Sequence, residues 1–171
     1  KIEAGKVSLE AVNLNIEDIV FETIEAFAPL AHQKGVEILA HFSPSVQPLC
    51  LIGDPIRLRQ MLVNLIGNAV KFTDKGHIEV KVICQQEREN TVALRFEIID
   101  TGIGIKSDVI SKLFQPFVQA DGTTTRKYGG SGLGLSIVQR LVDLMSGDIG
   151  IESEYEQGST FWVELTLGKQ R

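Results

Sequence analysis

Cysteine is nearly absent from this sequence: there are two in 171 residues, Cys50 and Cys84, far apart and without CxxC spacing. That excludes a zinc knuckle or a disulfide framework, fits a reducing cytosol, and leaves a buried apolar place as the expectation for both thiols. Long hydrophobic runs are missing too. No stretch approaches the roughly 18 apolar residues of a membrane span, and the opening KIEAGKVSLE is not a signal peptide. Positive charge is in deficit, with 17 Lys and Arg against 22 Asp and Glu for a net −5, so neither nucleic acid nor an acidic membrane surface is an expected partner. The sequence has no GxxxxGK[ST] loop, no GxGxxG entering a βαβ unit, no internal repeat and no low-complexity tract. It opens on Lys1 rather than Met, so a piece of a longer protein is expected, either cytoplasmic or the cytoplasmic portion of a membrane-bound receptor.

What is present is an ordinary globular composition, 43% hydrophobic and 23% charged, at a length suited to one domain with its own core. LEAVNLNI alternates apolar and polar residues and predicts an edge strand. Ile19, Val20, Ile24, Phe27 and Leu30 recur at helical spacing from Ile16 to about Lys34, between Asn15 as N-cap and Gly35 as stop. VEILAHF and PLCLIGD predict short strands. Asp54-Pro55 is a helix-entry signal for a helix reaching about Thr73. HIEVKVICQQ and TVALRFEIID predict a hairpin, followed by the glycine turn TGIGI and a short helix around SDVISKLF. A helix from Leu133 to about Met145 and two strands around Gln157-Gly158 close the chain. Helices and strands mix without strict alternation, which predicts an α+β two-layer sandwich, a mixed sheet covered on one face by helices.

The helix RLRQMLVNLIGNAVKFT carries the first chemical signal. Leu58, Met61, Leu62, Leu65, Ile66, Ala69 and Phe72 fall on one face at 100° per residue. Arg57, Gln60, Asn64, Asn68 and Lys71 form a stripe beside it. A solvated helix face is the ordinary explanation of such a stripe, but it would use Lys and Glu, because Asn is the weaker helix former. Asn64 and Asn68 present amide oxygens one turn apart. Such oxygens suit Mg²⁺, which takes its remaining ligands from water and phosphates, while Lys71 on the next turn can neutralise a phosphate oxygen.

Two glycine turns supply the second signal. In Asp100-Thr101-Gly102-Ile103-Gly104-Ile105 the glycines allow backbone to approach a planar ligand, and the Asp100 carboxylate can accept a hydrogen bond from an exocyclic amine such as that of adenine. Taken alone, an Asp and a glycine turn ending a strand are common structural punctuation. Gly129-Gly130-Ser131-Gly132-Leu133-Gly134-Leu135-Ser136 opens a helix, where free N–H groups and the helix dipole favour phosphate; a flexible hinge is its plain alternative. The preceding DGTTTRKY has the composition of a mobile lid carrying Arg126 and Lys127.

In combination these segments resemble the ATP-binding domain of sensor histidine kinases, a branch of the gyrase, heat-shock chaperone, histidine kinase and MutL ATPase superfamily with the Bergerat-type fold. NLIGNAVKFT is similar to the family's N box, DTGIGI to its first glycine box, and LFQPFVQAD to its F box. RKYGGSGLGLSIV is similar to the lid end and second glycine box, and GSTFWVEL to the closing strand. The resemblance implies ATP and Mg²⁺ as cofactors, with Asn68 as metal ligand, Asn64 beside the phosphates or metal waters, and Lys71 on phosphate. It places Phe72 and Ile105 against the base and Asp100 on adenine N6, with Gly102, Ile103 and Gly104 lining the approach. Arg126, Lys127 and Tyr128 fall at the lid end near the γ-phosphate. Gly130, Ser131, Gly132, Leu133, Gly134 and Leu135 fall at the phosphate-binding helix start, and Thr160 near the adenine. Phe114 and Phe117 resemble F-box residues that pack the lid hinge.

The implied function is transfer of the γ-phosphoryl group of ATP to a histidine in two-component signalling, with Asn64, Asn68, Lys71 and Arg126 as the catalytic set. Chaperone and gyrase relatives carry a Glu where Asn64 stands; an amide is no general base, so hydrolysis is expected to be poor. None of His32, His41 or His77 sits in an S-H-E-x-R-T-P box, and each is expected at the surface or in a structural bond. Residues 1–8 are expected to be residual linker from the dimerisation and phosphoacceptor domain, 9–168 the ATP-binding domain, and 169–171 a tail. The expected partners are that dimerisation domain and a response-regulator receiver domain, the lid wording leaning toward a hybrid kinase, and the fragment itself is expected to be monomeric. An ATPase of the chaperone type and a non-catalytic nucleotide-sensing module are the rival readings.

Overall fold

The structure, a computed structural model, describes residues 9–44, 46, 50–102, 133–154 and 156–170. In chain order the elements are β1 (Val12–Leu14), α1 (Ile16–Lys34), β2 (Val36–Phe42), β3 (Leu51–Gly53), α2 (Pro55–Phe72), β4 (Gly76–Glu87), β5 (Thr91–Asp100), α3 (Leu133–Leu144), β6 (Asp148–Glu154) and β7 (Gly158–Lys169). The strands form one mixed sheet in the order β1-β3-β7-β5-β4-β2, with β6 added beside β7. β2 and β4 are parallel, and every other pairing is antiparallel. This is the α+β sandwich expected. β7 continues to Lys169, which pairs with Leu51 of β3.

The helices are set by local signals. Asn15 caps α1 by accepting from the N–H of Asp18, and Gly35 ends it in the left-handed conformation, φ 72°. Asp54 caps α2 by accepting from Arg57 N–H, with Pro in the first turn. Its other carboxylate oxygen takes the N–H of Glu10 at 3.0 Å, which ties the segment before β1 to the start of the helix. α1 and α2 lie side by side in the same direction. Glu22 pairs with Arg59 near their starts, the Phe27 ring packs on Gly67 in the middle, and Lys34 reaches Val70 near their ends.

Among the described residues, the three helices cover one sheet face. Along β5, Val92, Leu94, Phe96, Ile98 and Asp100 are buried while the residues between them are half-exposed, the alternation of a strand with one face in the core. From α2, Leu58, Met61, Leu62, Leu65, Ile66, Ala69 and Val70 are buried. Val70 belongs to the core because α1 flanks the helix. Phe72, expected on the core face, is only half-buried. The opposite sheet face holds polar ladders: Arg95 lies 4.5 Å over the Trp162 ring and pairs with Glu97 and Glu164. The cysteines depart from expectation. Cys50 is exposed and Cys84 half-buried, since Cys50 precedes the three-residue β3 instead of lying within a buried strand. Among the described residues no helix is long and apolar enough to cross a membrane.

Candidate functional site

The C-terminal end of β5 meets the C-terminal end of α2. The contact is so close that a Cβ on Gly102 would stand 2.2 Å from the Phe72 carbonyl oxygen and 3.0 Å from Asp100 Oδ1. Glycine is thus required here by the protein's own backbone, before any ligand is considered. The turn is fixed from two other sides. A Cβ on Gly76 (φ 109°) would strike the Thr101 hydroxyl at 2.0 Å, and one on Gly158 (φ 127°) the Asp100 carbonyl oxygen at 2.2 Å. The Thr101 hydroxyl also accepts from His77 N–H at 3.1 Å.

Within this turn Asp100 is 3% exposed, a carboxylate facing the core side of the sheet. Its Oδ1 accepts from the Gly102 N–H at 2.9 Å and its Oδ2 from the Ser159 hydroxyl at 2.7 Å. Burial pushes the carboxyl above its ordinary range, and the donors of Ser159 and Gly102 pull back against that rise. The Ser159 N–H donates to the carboxylate as well, and an ionised carboxylate, with about four lone-pair sites, still has room for a further donor. A buried acceptor oriented in this way can read an amino group on a flat ring.

The polar stripe of α2 leads away from this turn. At 1.5 Å per residue, Asn68 lies about 6 Å and Asn64 about 12 Å up the helix from Phe72. Both asparagines are half-buried, and Lys71 is exposed. Asn64 donates its amide to the Gln60 carbonyl at 2.9 Å, so its oxygen is what it offers outward. Among the described residues no partner donates to or accepts from the Asn68 side chain, which leaves its amide oxygen available outward. Among the described residues no three His, Cys, Asp or Glu side chains cluster to hold a metal. A single neutral amide oxygen at Asn68 fits a cation that draws its other ligands from phosphate and water, and does not fit a cation caged by protein.

The structure therefore joins Phe72, Asp100 and Gly102 in one contact, at the end of the helix that carries Asn64, Asn68 and Lys71. It does not bring Thr160 there. Thr160 pairs with Ile99, and strand alternation turns it from the helix-covered face; Ser159, which pairs with Asp100, occupies that place. The closing-strand side chain beside Asp100 is one residue earlier than expected from the sequence. Ser159, Gly76 and Gly158 were missed for the same reason: only strand register shows that they touch Asp100 and Thr101. The Leu135 side chain is 5% exposed and part of the core, so what it can offer a ligand is its N–H in the free first turn of α3, a helix that packs against α2. Leu133 and Gly134 begin that helix, but their side chains are outside the described residues, as are Ile103, Gly104, Ile105, Arg126, Lys127, Tyr128, Gly130, Ser131 and Gly132. The expected linker 1–8, the helix around 107–114 with Phe114, and Phe117 also lie outside.

The chain belongs to the histidine kinase-, DNA gyrase B- and HSP90-like ATPases, the family its residues 53–169 match. Along its whole length it is similar to sensor histidine kinases. It is 44% identical over 171 residues to the sensor histidine kinase GacS of Pseudomonas protegens, covering 100% of this chain and 18% of that protein. It is 45% identical to the peroxide stress-activated histidine kinase mak2 of Schizosaccharomyces pombe, over 98% of this chain and 7% of that one. Among solved structures, full-length ShkA in complex with AMPPNP superposes with a TM-score of 0.83 at 35% identity, covering 98% of this chain and 33% of that one. The nucleotide-free catalytic domain of the histidine kinase ThkA superposes at 0.71 with 23% identity, over 91% and 95% of the two chains, which shows the shared fold.

Proposed function

We propose that this domain binds Mg-ATP, with the adenine amine on Asp100 and the metal-bound triphosphate along Asn64, Asn68 and Lys71, and presents the γ-phosphoryl group to a histidine carried by another domain of the parent protein. The observation that carries this is the Asp100 carboxylate, buried at a turn seated on the helix that bears the asparagine stripe. A buried carboxylate with both oxygens already oriented is costly to the fold unless a ligand uses it. The complex of ShkA with AMPPNP, a structure whose fold this chain shares along nearly its full length, supports a nucleotide as that ligand.

Mg²⁺, when bound, would be held by the Asn68 amide oxygen and would neutralise negative charge on the triphosphate. The chain's own residues do the rest by positioning. Asp100 accepts a hydrogen bond from the base and sets the nucleotide's register. Asn68 offers its amide oxygen to the metal, Lys71 places an ammonium at the phosphates, and the free N–H groups at the start of α3 face negative charge. The γ-phosphorus to bridging-oxygen bond breaks as a bond to an imidazole nitrogen forms, and ADP departs with the bridging oxygen. Asn64 and Asn68 are amides and cannot take a proton from water, and the phosphoryl group is kept for the histidine. Arg126 and Lys127 are assigned to the γ-phosphate from their lid-like sequence, and a response-regulator receiver domain is the proposed onward acceptor.

The test is calorimetric titration with AMPPNP, with and without Mg²⁺, of the wild type, Asn68→Ala and Asp100→Asn. The wild type is expected to bind more tightly with the metal. Asn68→Ala should lose that metal dependence, and Asp100→Asn should weaken binding on the order of tenfold to a hundredfold in either condition, the worth of a hydrogen bond to a charged group. A wild-type domain that binds no nucleotide sinks the reading.

A further inference from the structure

α1 and α2 end in different ways. Gly35 closes α1 by turning left-handed and donating its N–H to Ala31 and His32 carbonyls. α2 has no such residue: Thr73 at its C-cap is extended, φ −109° and ψ 111°. An extended C-cap leaves the last carbonyls of a helix without backbone donors. Here the donors come from a different helix. The Lys34 ammonium donates to the carbonyl oxygens of Val70 at 2.7 Å, Lys71 at 3.2 Å and Thr73 at 3.3 Å. An ammonium has three N–H donors, and three carbonyls take them all. The Asp74 carboxylate stands 3.6 Å from the same nitrogen, itself half exposed, and adds little beside the carbonyls. The cation also sits at the negative end of the α2 dipole, where a positive charge is favoured.

The turn gripped in this way is the one that carries Lys71 and Phe72. Phe72's carbonyl oxygen is the atom on which Gly102 is seated. The end of α2 is thus held between the Lys34 ammonium on one side and the turn after Asp100 on the other. We propose that Lys34 is a positioning residue of the nucleotide site, setting the last turn of α2 and through it the Lys71 side chain and the seat of the Asp100–Gly102 turn. It acts through those residues and not on the ligand. The inference rests on the nucleotide-binding reading above and adds to it a residue one helix removed from the site.

A cap that only stabilised the fold would lower the melting temperature and leave affinity unchanged wherever the protein is fully folded. A positioning residue changes affinity there as well. The experiment is titration with Mg-AMPPNP of the wild type, Lys34→Met and Lys34→Arg, at a temperature where melting curves show each fully folded. Amide spectra of Lys71, Phe72 and Gly102 are recorded alongside. Displacing a binding group by a fraction of an ångström is expected to weaken Lys34→Met about tenfold, with Lys34→Arg restored to within about threefold of wild type because it keeps charge and donors. The amides of those three residues should move in Lys34→Met while those of β1, which lies at the opposite end of α2, stay in place. A folded Lys34→Met with wild-type affinity overturns the proposal, as does a Lys34→Arg no tighter than Lys34→Met. If Lys34→Met does not fold, Lys34→Gln, which keeps amide donors but no charge, is judged by the same criterion. A wild type that binds no nucleotide overturns the functional reading and this inference together, whereas wild-type binding that Lys34→Met retains in full overturns this inference alone.

Discussion

Asp100 spends folding stability on a site. Burial raises its carboxyl above the ordinary 3.8, so the folded chain binds that proton more tightly than the unfolded chain does. The group therefore adds stability below about pH 3.8, and that contribution is lost as pH rises through the higher folded value. Asp100→Asn carries no charge to desolvate, and a rotated Ser159 hydroxyl can accept from the new amide. Thermal melts should show Asp100→Asn more stable than wild type at about pH 7 and the gap closing toward about pH 4, while nucleotide affinity falls at neutral pH. A mutant less stable than wild type at both ends of that range would mean the charge is not the cost. Ser159 and Thr160 separate the register from the composition of the closing strand. Ser159→Ala leaves Asp100 Oδ2 without its donor and should cost about 1–3 kcal/mol in urea denaturation. Thr160→Val, on the far face, should leave nucleotide affinity within about twofold of wild type, well under the tenfold that 1.4 kcal/mol represents.

At the level of elements, the glycines of this domain are not alike. Gly35 has φ 72° and nothing within 4 Å of an added Cβ, so Gly35→Ala should cost only the left-handed penalty, about 1–2 kcal/mol. Gly158 combines φ 127° with a Cβ position 2.2 Å from the Asp100 carbonyl oxygen. Gly158→Ala should lose about 2–4 kcal/mol, in the range of strained or overpacked positions, and should also weaken nucleotide binding, because the atom it displaces belongs to Asp100, the residue proposed to read the base. Chemical denaturation and titration of the two variants side by side check both statements. Among the helices, the predicted bounds of α1 and α2 hold to within a residue. Capping chemistry at Asn15, Gly35 and Asp54 is local, and local chemistry is written in adjacent letters. Lys34 shows the converse: it caps a helix 36 residues along the chain, and nothing in AHQKG announces it.

Taken whole, the molecule is proposed as a nucleotide platform whose phosphoryl acceptor lies in another domain. His32, His41 and His77 are all exposed, and His41 pairs with Glu79 at 3.0 Å on the sheet's open side. The chain spans 18% of the GacS protein it resembles, and the phosphoacceptor is proposed to lie in the remainder of such a parent. Incubated with γ-labelled ATP, the domain should retain no stable label and turn over slowly. Adding the parent's dimerisation domain should produce an acid-labile phosphohistidine. Fast steady-state hydrolysis by the domain alone would favour a chaperone-type ATPase and identify a base that the amide stripe does not contain.

The sequence by itself determined the class of fold, the hairpins, the helix caps and the members of the α2 stripe, because periodicity and capping act over a few residues and need no partner from elsewhere. It also named Asp100 and Gly102, through a strand ending in an acid and a glycine turn. Tertiary structure alone decided that Ser159 and not Thr160 stands on Asp100, that Gly102 is seated on Phe72, and that Lys34 closes α2. Each of those contacts joins segments 30 or more residues apart. Their identity depends on strand register and helix placement, and a slip of one residue in β7 would turn the opposite set of side chains toward the site.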